Sequence, residues 1–329
     1  MGDILIGTDD GIFRFDKGSK EIQQETGPSA IAFLAATHIG VFALSRVGEL
    51  INTSGVAKSA LWLRKDQDDW QLVNEHPVEE EVWSFAADSR IEGRLYLGVS
   101  PALLYISDDG GKSWTACESI RRIPGYEKWT FPPPPHIPHV RYISPDPQFV
   151  GGIYIGVEEG GVYRSVDSGE TWESLNEGLY WDVHTVVPSP DGTQMYATTG
   201  GGFYRSDDRG HHWRNIQDGL DRTYVIPCIT SPKQPNRLYT AAAAGPPPTW
   251  KTMGANAAVY RSDDGGEHWV RLEQGLPSQF DVMVRSLIVD EAGNVYAAAG
   301  NQLFASFDEG ESWQLVAGDL PTVRSLAVV

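Results

Sequence analysis

Ser107-Asp108-Asp109-Gly110-Gly111-Lys112-Ser113-Trp114 is the first of five copies of one pattern, Ser-x-Asp-x-Gly-x-x-Trp. The others occupy residues 165–172, 206–213, 262–269 and 306–313. Each follows a short apolar-aromatic run, such as Leu103-Leu104-Tyr105-Ile106, and precedes another strand that begins at the Trp. The pattern therefore reads as a hairpin turn. Its Asp can accept hydrogen bonds from backbone amides a few residues on, and its Gly supplies the positive φ of a tight turn. The Trp is a large apolar body suited to wedging between sheets. A Ca²⁺ loop would need a longer ligand series closed by a bidentate Glu, as in an EF-hand, and that series is missing. Asp109, Asp167, Asp208, Asp264 and Asp308 are accordingly expected to be structural.

Repeats of this length indicate a solenoid or a propeller. The box serines fall at 107, 165, 206, 262 and 306. The shorter intervals fit four strands plus turns, one propeller blade. The two longer ones must hold insertions, placed at 118–138 and 243–257. Within a unit the order is strand A, B, C, the box, then D. For the fourth blade these are residues 140–144, 152–157, 162–165 and 171–175. Upstream, residues 31–36, 41–45, 49–51 and 70–73 read as a blade whose box has decayed to Arg64-Lys65-Asp66-Gln67-Asp68-Asp69-Trp70. Residues 3–16 read as B and C strands, 21–25 as a weak D, and 322–329 as an A strand. Joining the two ends completes one blade and removes open sheet edges. The expectation is an all-β chain: a seven-bladed propeller of four-stranded blades, one domain over 1–329, closed by pairing N-terminal strands with the C-terminal strand.

Composition agrees, with 35 Gly, 11 Trp and no helical periodicity of useful length. The net charge of −18 argues against a nucleic-acid backbone or an anionic membrane as partner. The two cysteines, Cys117 and Cys228, fall in different blades and imply no disulfide framework. The N-terminus carries neither a basic nor an apolar leader region, and no run is long and apolar enough to span a bilayer. A cytoplasmic location is expected.

The repeated octapeptide resembles the Asp-box (BNR) repeat of sialidase-like β-propellers. Nearly the whole chain resembles, at the level of repeat type, the single-domain BNR propellers similar to the photosystem II stability/assembly factor. Those share a Val-Arg-Ser-Leu flavour, present here at 284–287 and 323–326, and bind a polypeptide on an arginine-lined face. The resemblance implies a binding role, with a carbohydrate, a small anionic ligand or a protein or peptide as partner. Propeller ligands usually sit at the channel mouth framed by D-to-A and B-to-C loops, opposite the Asp-boxes. Both insertions belong to such connections. Each carries a proline run (132–135 and 246–248) expected to be extended polyproline, and each supplies an aromatic candidate, Trp129 or Trp250.

Aligning the A strands on their leading Val puts Trp83, Arg141, His184, Ile226, Arg285 and Arg324 at one equivalent position. Three arginines there suit a carboxylate, which a guanidinium binds bidentately; sialidases use three arginines on the substrate carboxylate. The plainer alternative is that these arginines pair with acids in the next blade. Tyr180, Trp181 and Glu158 fall on the same face and complete the candidate ligand set.

An enzyme remains the alternative. Gly7-Thr8-Asp9-Asp10-Gly11 resembles the Thr-Asp-x-Gly stretch of xyloglucan-cleaving propeller enzymes, in which the Asp is catalytic. That resemblance implies a glycoside hydrolase using Asp9, although those enzymes place their second carboxylate on a second propeller. The enzyme reading here takes Asp9, Asp182 or Asp281 as catalytic candidates, each needing a second carboxylate within reach. Arg122-Ile123-Pro124 matches the Arg-Ile-Pro of sialidases but follows the first box and lies in an insertion. No cofactor is expected, although a divalent metal on His136, His139 and His184, beside Glu158, would fit a lyase-like enzyme.

Overall fold

The computed structural model describes residues 2–47, 58–66 and 68–329. Seven four-stranded antiparallel sheets stand around a central channel, each ordered A-B-C-D. Val323–Val328 supplies strand A of the first sheet and pairs with Ile4–Thr8, which continues to Gly11–Phe15 and Ile22–Gln24. The ring is thus closed by both ends of the chain. The other A strands are Ile31–Thr37, Glu81–Ala87, Val140–Pro145, Val183–Pro188, Tyr224–Thr230 and Val284–Val289. In the second blade, residues 49–51 lie outside the described residues, and Lys58–Arg64 is the strand that pairs with Gly40–Val47.

The B strands are covered by neighbouring blades on both faces. Ile153–Val157, Met195–Thr199 and Val295–Ala299 are buried at every position. They therefore read as runs of apolar and small uncharged residues, without the alternation of a half-solvated strand. Short D strands such as Glu173–Ser174 form the exposed rim.

All five boxes use one hydrogen-bond scheme. The Ser Oγ donates to the Asp Oδ1 and accepts from the Gly amide four residues on. The same Oδ1 accepts the amide of the residue before the Trp. Oδ2 takes that residue's side chain, from Ser113, Thr171, His212, His268 or Ser312. Hydrogen bonds from the Ser113 hydroxyl and amide hold Asp109 down at about 2. These carboxylates are committed to their own turns.

The boxes also stitch blades together. The amides of Trp213, Trp269 and Trp313 donate to the carbonyls of Glu177, Asp218 and Gln274 in the preceding blade, at 2.9, 3.0 and 2.9 Å. The next residues, Gly178, Gly219 and Gly275, have φ of 82, 79 and 84°. A Cβ on any of them would run into the Trp carbonyl.

The proline runs depart from expectation. Pro247 and Pro248 open a short helix, Pro247–Met253, because proline's fixed φ suits a first helical turn. Pro134 and Pro135 lie in a turn in which the His136 amide reaches the Pro133 carbonyl at 3.0 Å. Among the described residues no helix is long and apolar enough to cross a membrane. Cys117 and Cys228 are both buried and free.

Gly275→Ala combines a positive φ with a backbone collision and is expected to cost about 1–3 kcal/mol. A urea unfolding curve against wild type checks this, and an unchanged midpoint would contradict the inter-blade contact.

Candidate functional site

The site begins with an irregularity repeated in every blade. Near the start of each A strand the register slips, so that Val140 pairs with Val157 and Tyr142 with Gly156 while Arg141 has no partner. The same slip passes over Ala32, Trp83, His184, Arg285 and Arg324, and over Ile226 and Pro227 in the sixth blade. These are β-bulges, in which the surplus residue leaves the ladder and its side chain is re-aimed. All of these residues line one central cavity of about 1040 Å³. The A-strand alignment therefore picked out the wall of the channel, and the physical cause is the bulge.

Four arginines, Arg46, Arg141, Arg285 and Arg324, face this cavity against two lining carboxylates, Asp9 and Glu81. Arg324 holds Asp9 through two hydrogen bonds, Nε to Oδ1 at 2.7 Å and a terminal nitrogen to Oδ2 at 2.8 Å. Arg141 donates to Glu158 Oε2 at 2.8 Å, and His139 Nε2 meets the same oxygen at 2.9 Å. Burial works against the Glu158 charge, yet Arg141 and then His139 outweigh it and hold the group at about 2. Burial pushes His139 the other way, below its ordinary value.

Among the described residues no carboxylate pairs with Arg46 or Arg285. Arg285 is exposed on the channel wall, with its guanidinium partly desolvated by the surrounding protein. Burial, then the charges of Arg141 and Arg324, lower its pKa. Its guanidinium sits 5.4 Å from the Trp250 ring centre, a cation–π contact. Burial likewise lowers Arg46, opposed by Glu81 and reinforced by Arg324.

The remaining candidates separate clearly. Tyr180 and Trp181 are exposed, at 49% and 53%, beside Asp182. Asp182 is nearly buried, with Oδ1 3.3 Å from His184 Nε2. His184 is buried, its Nδ1 2.6 Å from the Val225 carbonyl. Trp129 does not face the channel: it is 6% exposed, packs on Tyr126 and Tyr163 and donates to the Tyr163 hydroxyl. Asp281 is exposed and does not line the cavity; its backbone carbonyl anchors Ala255 of the second insertion. His136 is exposed and bonded to the Phe131 carbonyl, apart from His139, which stacks on Trp83. Arg121 and Arg122 lie on a surface 3₁₀ turn, with Arg121 paired to Glu118. Arg46 and Glu81 escaped the sequence reading because neither occupies the bulge position. One ends a B strand, and the other precedes the aligned Val82.

Comparison with known proteins supports the architecture. The BNR/Asp-box repeat model matches residues 105–116, the first box. The chain is a seven-bladed β-propeller that carries Asp-box (BNR) repeats. No curated protein matches it at a significant level. Among solved structures, the GH74 xyloglucanase from Xanthomonas campestris aligns with a TM-score of 0.73 and 16% identity, covering 96% of this chain and 52% of that one. YCF48 bound to D1 peptide aligns at 0.57 and 20% identity, covering 90% and 84%. A protein from Bacteroides uniformis described as a 6-phosphogluconolactonase aligns at 0.67 and 14% identity, covering 100% and 99%. The propeller spans about half the length of the GH74 enzymes it matches. These likenesses share a fold.

The two kinds of arginine should behave oppositely. Arg141→Ala strands the buried Glu158 charge and is expected to cost about 3 kcal/mol. Arg285→Ala removes a guanidinium repelled by its neighbours and should stay within about 0.5 kcal/mol of wild type. Glu158 titrates at about 2 in the fold against an ordinary 4.5. Its stabilisation is therefore full above about pH 4.5 and fades as pH falls toward 2. Melts from pH 7 to 2 should show this acid limb in wild type and a shallower one in Arg141→Ala. Equal melts for both variants would contradict the assignment.

Proposed function

We propose that the protein is a binding propeller whose channel mouth receives a carboxylate-bearing polypeptide. One observation carries the reading: bulges aim arginines into a channel on a protein of net charge −18, and two of the four lining arginines have no acid partner among the described residues. A guanidinium fork in a confined, partly desolvated setting suits a carboxylate. Four exposed apolar side chains, Tyr180, Trp181, Met253 and Val282, belong to loops on the mouth face and offer contacts to side chains of such a partner. A solved propeller of this kind is itself bound to a peptide.

Glycoside hydrolysis is the second reading, favoured by the likeness to the GH74 fold and by Asp9 on the channel wall. Against it, Asp9 is clamped by Arg324, and Asp281 lies outside the channel. Asp182 is within reach of a second carboxylate, Glu158, but Glu158 is itself buried and bonded to Arg141.

The test is a library of short peptides presented as free acids and as C-terminal amides, with binding read by fluorescence anisotropy. Free acids should bind and amides should lose about tenfold or more, as should Arg46→Ala and Arg285→Ala against the free acids. Indifference to both changes would overturn the carboxylate reading. Cleavage of xyloglucan oligosaccharides, abolished by Asp9→Asn, would establish the hydrolase instead.

A further inference from the structure

Among the buried polar atoms of the described residues that lack a hydrogen-bond partner, two face each other in the channel wall, on Asp182 and His184. His184 is fully buried, and its Nδ1 lies 2.6 Å from the Val225 carbonyl, an acceptor. That contact places a proton on Nδ1, so the neutral ring presents a lone pair at Nε2. Asp182 Oδ1 stands 3.3 Å from this nitrogen. Despite the short distance, both atoms are buried without a hydrogen-bond partner. The direction of a proton on Nε2 would miss the carboxylate. Two acceptors held face to face in a low-dielectric wall repel each other unless a cation lies between or beside them.

A third donor converges on the same point. Glu158, His184 and Asp182 each offer one ligand atom, and these atoms all lie within 4.8 Å of one another. The backbone enforces this: Glu158 and Asp182 face each other as an isolated antiparallel bridge between the fourth and fifth blades. His184 is brought alongside by the bulge of its own strand. Glu158 is oriented from behind by His139 Nε2, the kind of outer contact that fixes metal-binding carboxylates. The opposing charge is Arg141, already engaged with Glu158.

We propose that Glu158, Asp182 and His184 form a site for a divalent first-row transition-metal ion in the channel wall. One unprotonated imidazole and two carboxylates suit Zn²⁺ or Mn²⁺ better than Ca²⁺ or Mg²⁺, which favour all-oxygen shells. The donor set differs from the expected His136, His139 and His184. His136 lies on the surface, and His139 is bonded to Glu158 through Nε2 and is not among the three converging ligand residues. The proposal is independent of the carboxylate-binding reading, because metal uptake is measured without any organic ligand.

The experiment is a calorimetric titration of the chelator-stripped full chain with Zn²⁺. One equivalent per chain is expected, with affinity falling at least tenfold in Asp182→Asn and in His184→Gln. Two exposed clusters on the Asp-box face, His212 with Asp208 and Glu177 and His268 with Asp264 and Asp218, provide the control. The double variant His212→Ala/His268→Ala should keep its equivalent of metal. Loss of uptake in that variant would overturn the proposal by assigning the metal to the surface. So would unchanged affinity in Asp182→Asn. Should either wall variant fail to fold, ring-nitrogen NMR of wild type decides. Zn²⁺ should displace the Nε2 resonance assigned sequence-specifically to His184, and no displacement would refute the site.

Discussion

Seven times around the ring, the innermost strand sets two or more of its residues against fewer in its neighbour, and the surplus residue turns out of the ladder toward the axis. A regular strand would send these side chains alternately into the two inter-blade cores. The bulge breaks that alternation at one position per blade and gives the channel its lining without disturbing the buried B strands behind it. Ala32, Trp83, Arg141, His184, Ile226, Arg285 and Arg324 therefore form one chemical wall although they are far apart in sequence. Because the ring fixes their order, the arginines cluster: blades seven and one, adjacent across the closure, place Arg285 and Arg324 side by side.

That clustering has an electrostatic cost, which the chain offsets unevenly. Arg324 and Arg141 are each given a carboxylate, from Asp9 and Glu158. Arg285 is given an aromatic face instead, and feels both other guanidiniums. Like charges confined between low-dielectric walls focus potential into the cavity and attract an anion even when the protein as a whole repels one. The acidic surface and the basic channel are thus compatible, and together they favour ligands whose negative charge is localised at one end.

Blade number, strand order and ring closure were legible because each depends on short-range chemistry. The boxes mark turns, buried B strands read as runs of apolar and small uncharged residues, and the terminal segments lack the partners that each supplies to the other. The wall position was legible as an alignment, although its direction was not. Pairing register decides where Arg141 points, and no local residue signals the slip. Proline misled in both insertions, since its fixed φ serves a helix start or a turn as readily as an extended segment. Trp129 misled because an aromatic in a long loop can be the core of that loop, as its packing on Tyr126 and Tyr163 makes it here.

The two faces of the ring use the same residue types to opposite ends, and hydrogen-bond accounting separates them. On the box face, Asp208 pairs with His212 and Asp264 with His268, and in each Asp both oxygens receive donors within the turn. These carboxylates are committed to their own turns, and repeating the motif five times builds the ring. On the channel side, Asp182 and His184 also stand together, yet one oxygen and one nitrogen remain buried and unmatched. A buried unmatched pair costs free energy, on the order of 1–3 kcal/mol for each group, and folds rarely keep such a cost without a return. Under the proposed site, that return is a bound cation. Residue type alone would rank the histidine-rich boxes first as ligand sites, whereas the facing unmatched atoms of Asp182 and His184 favour the channel side of the ring.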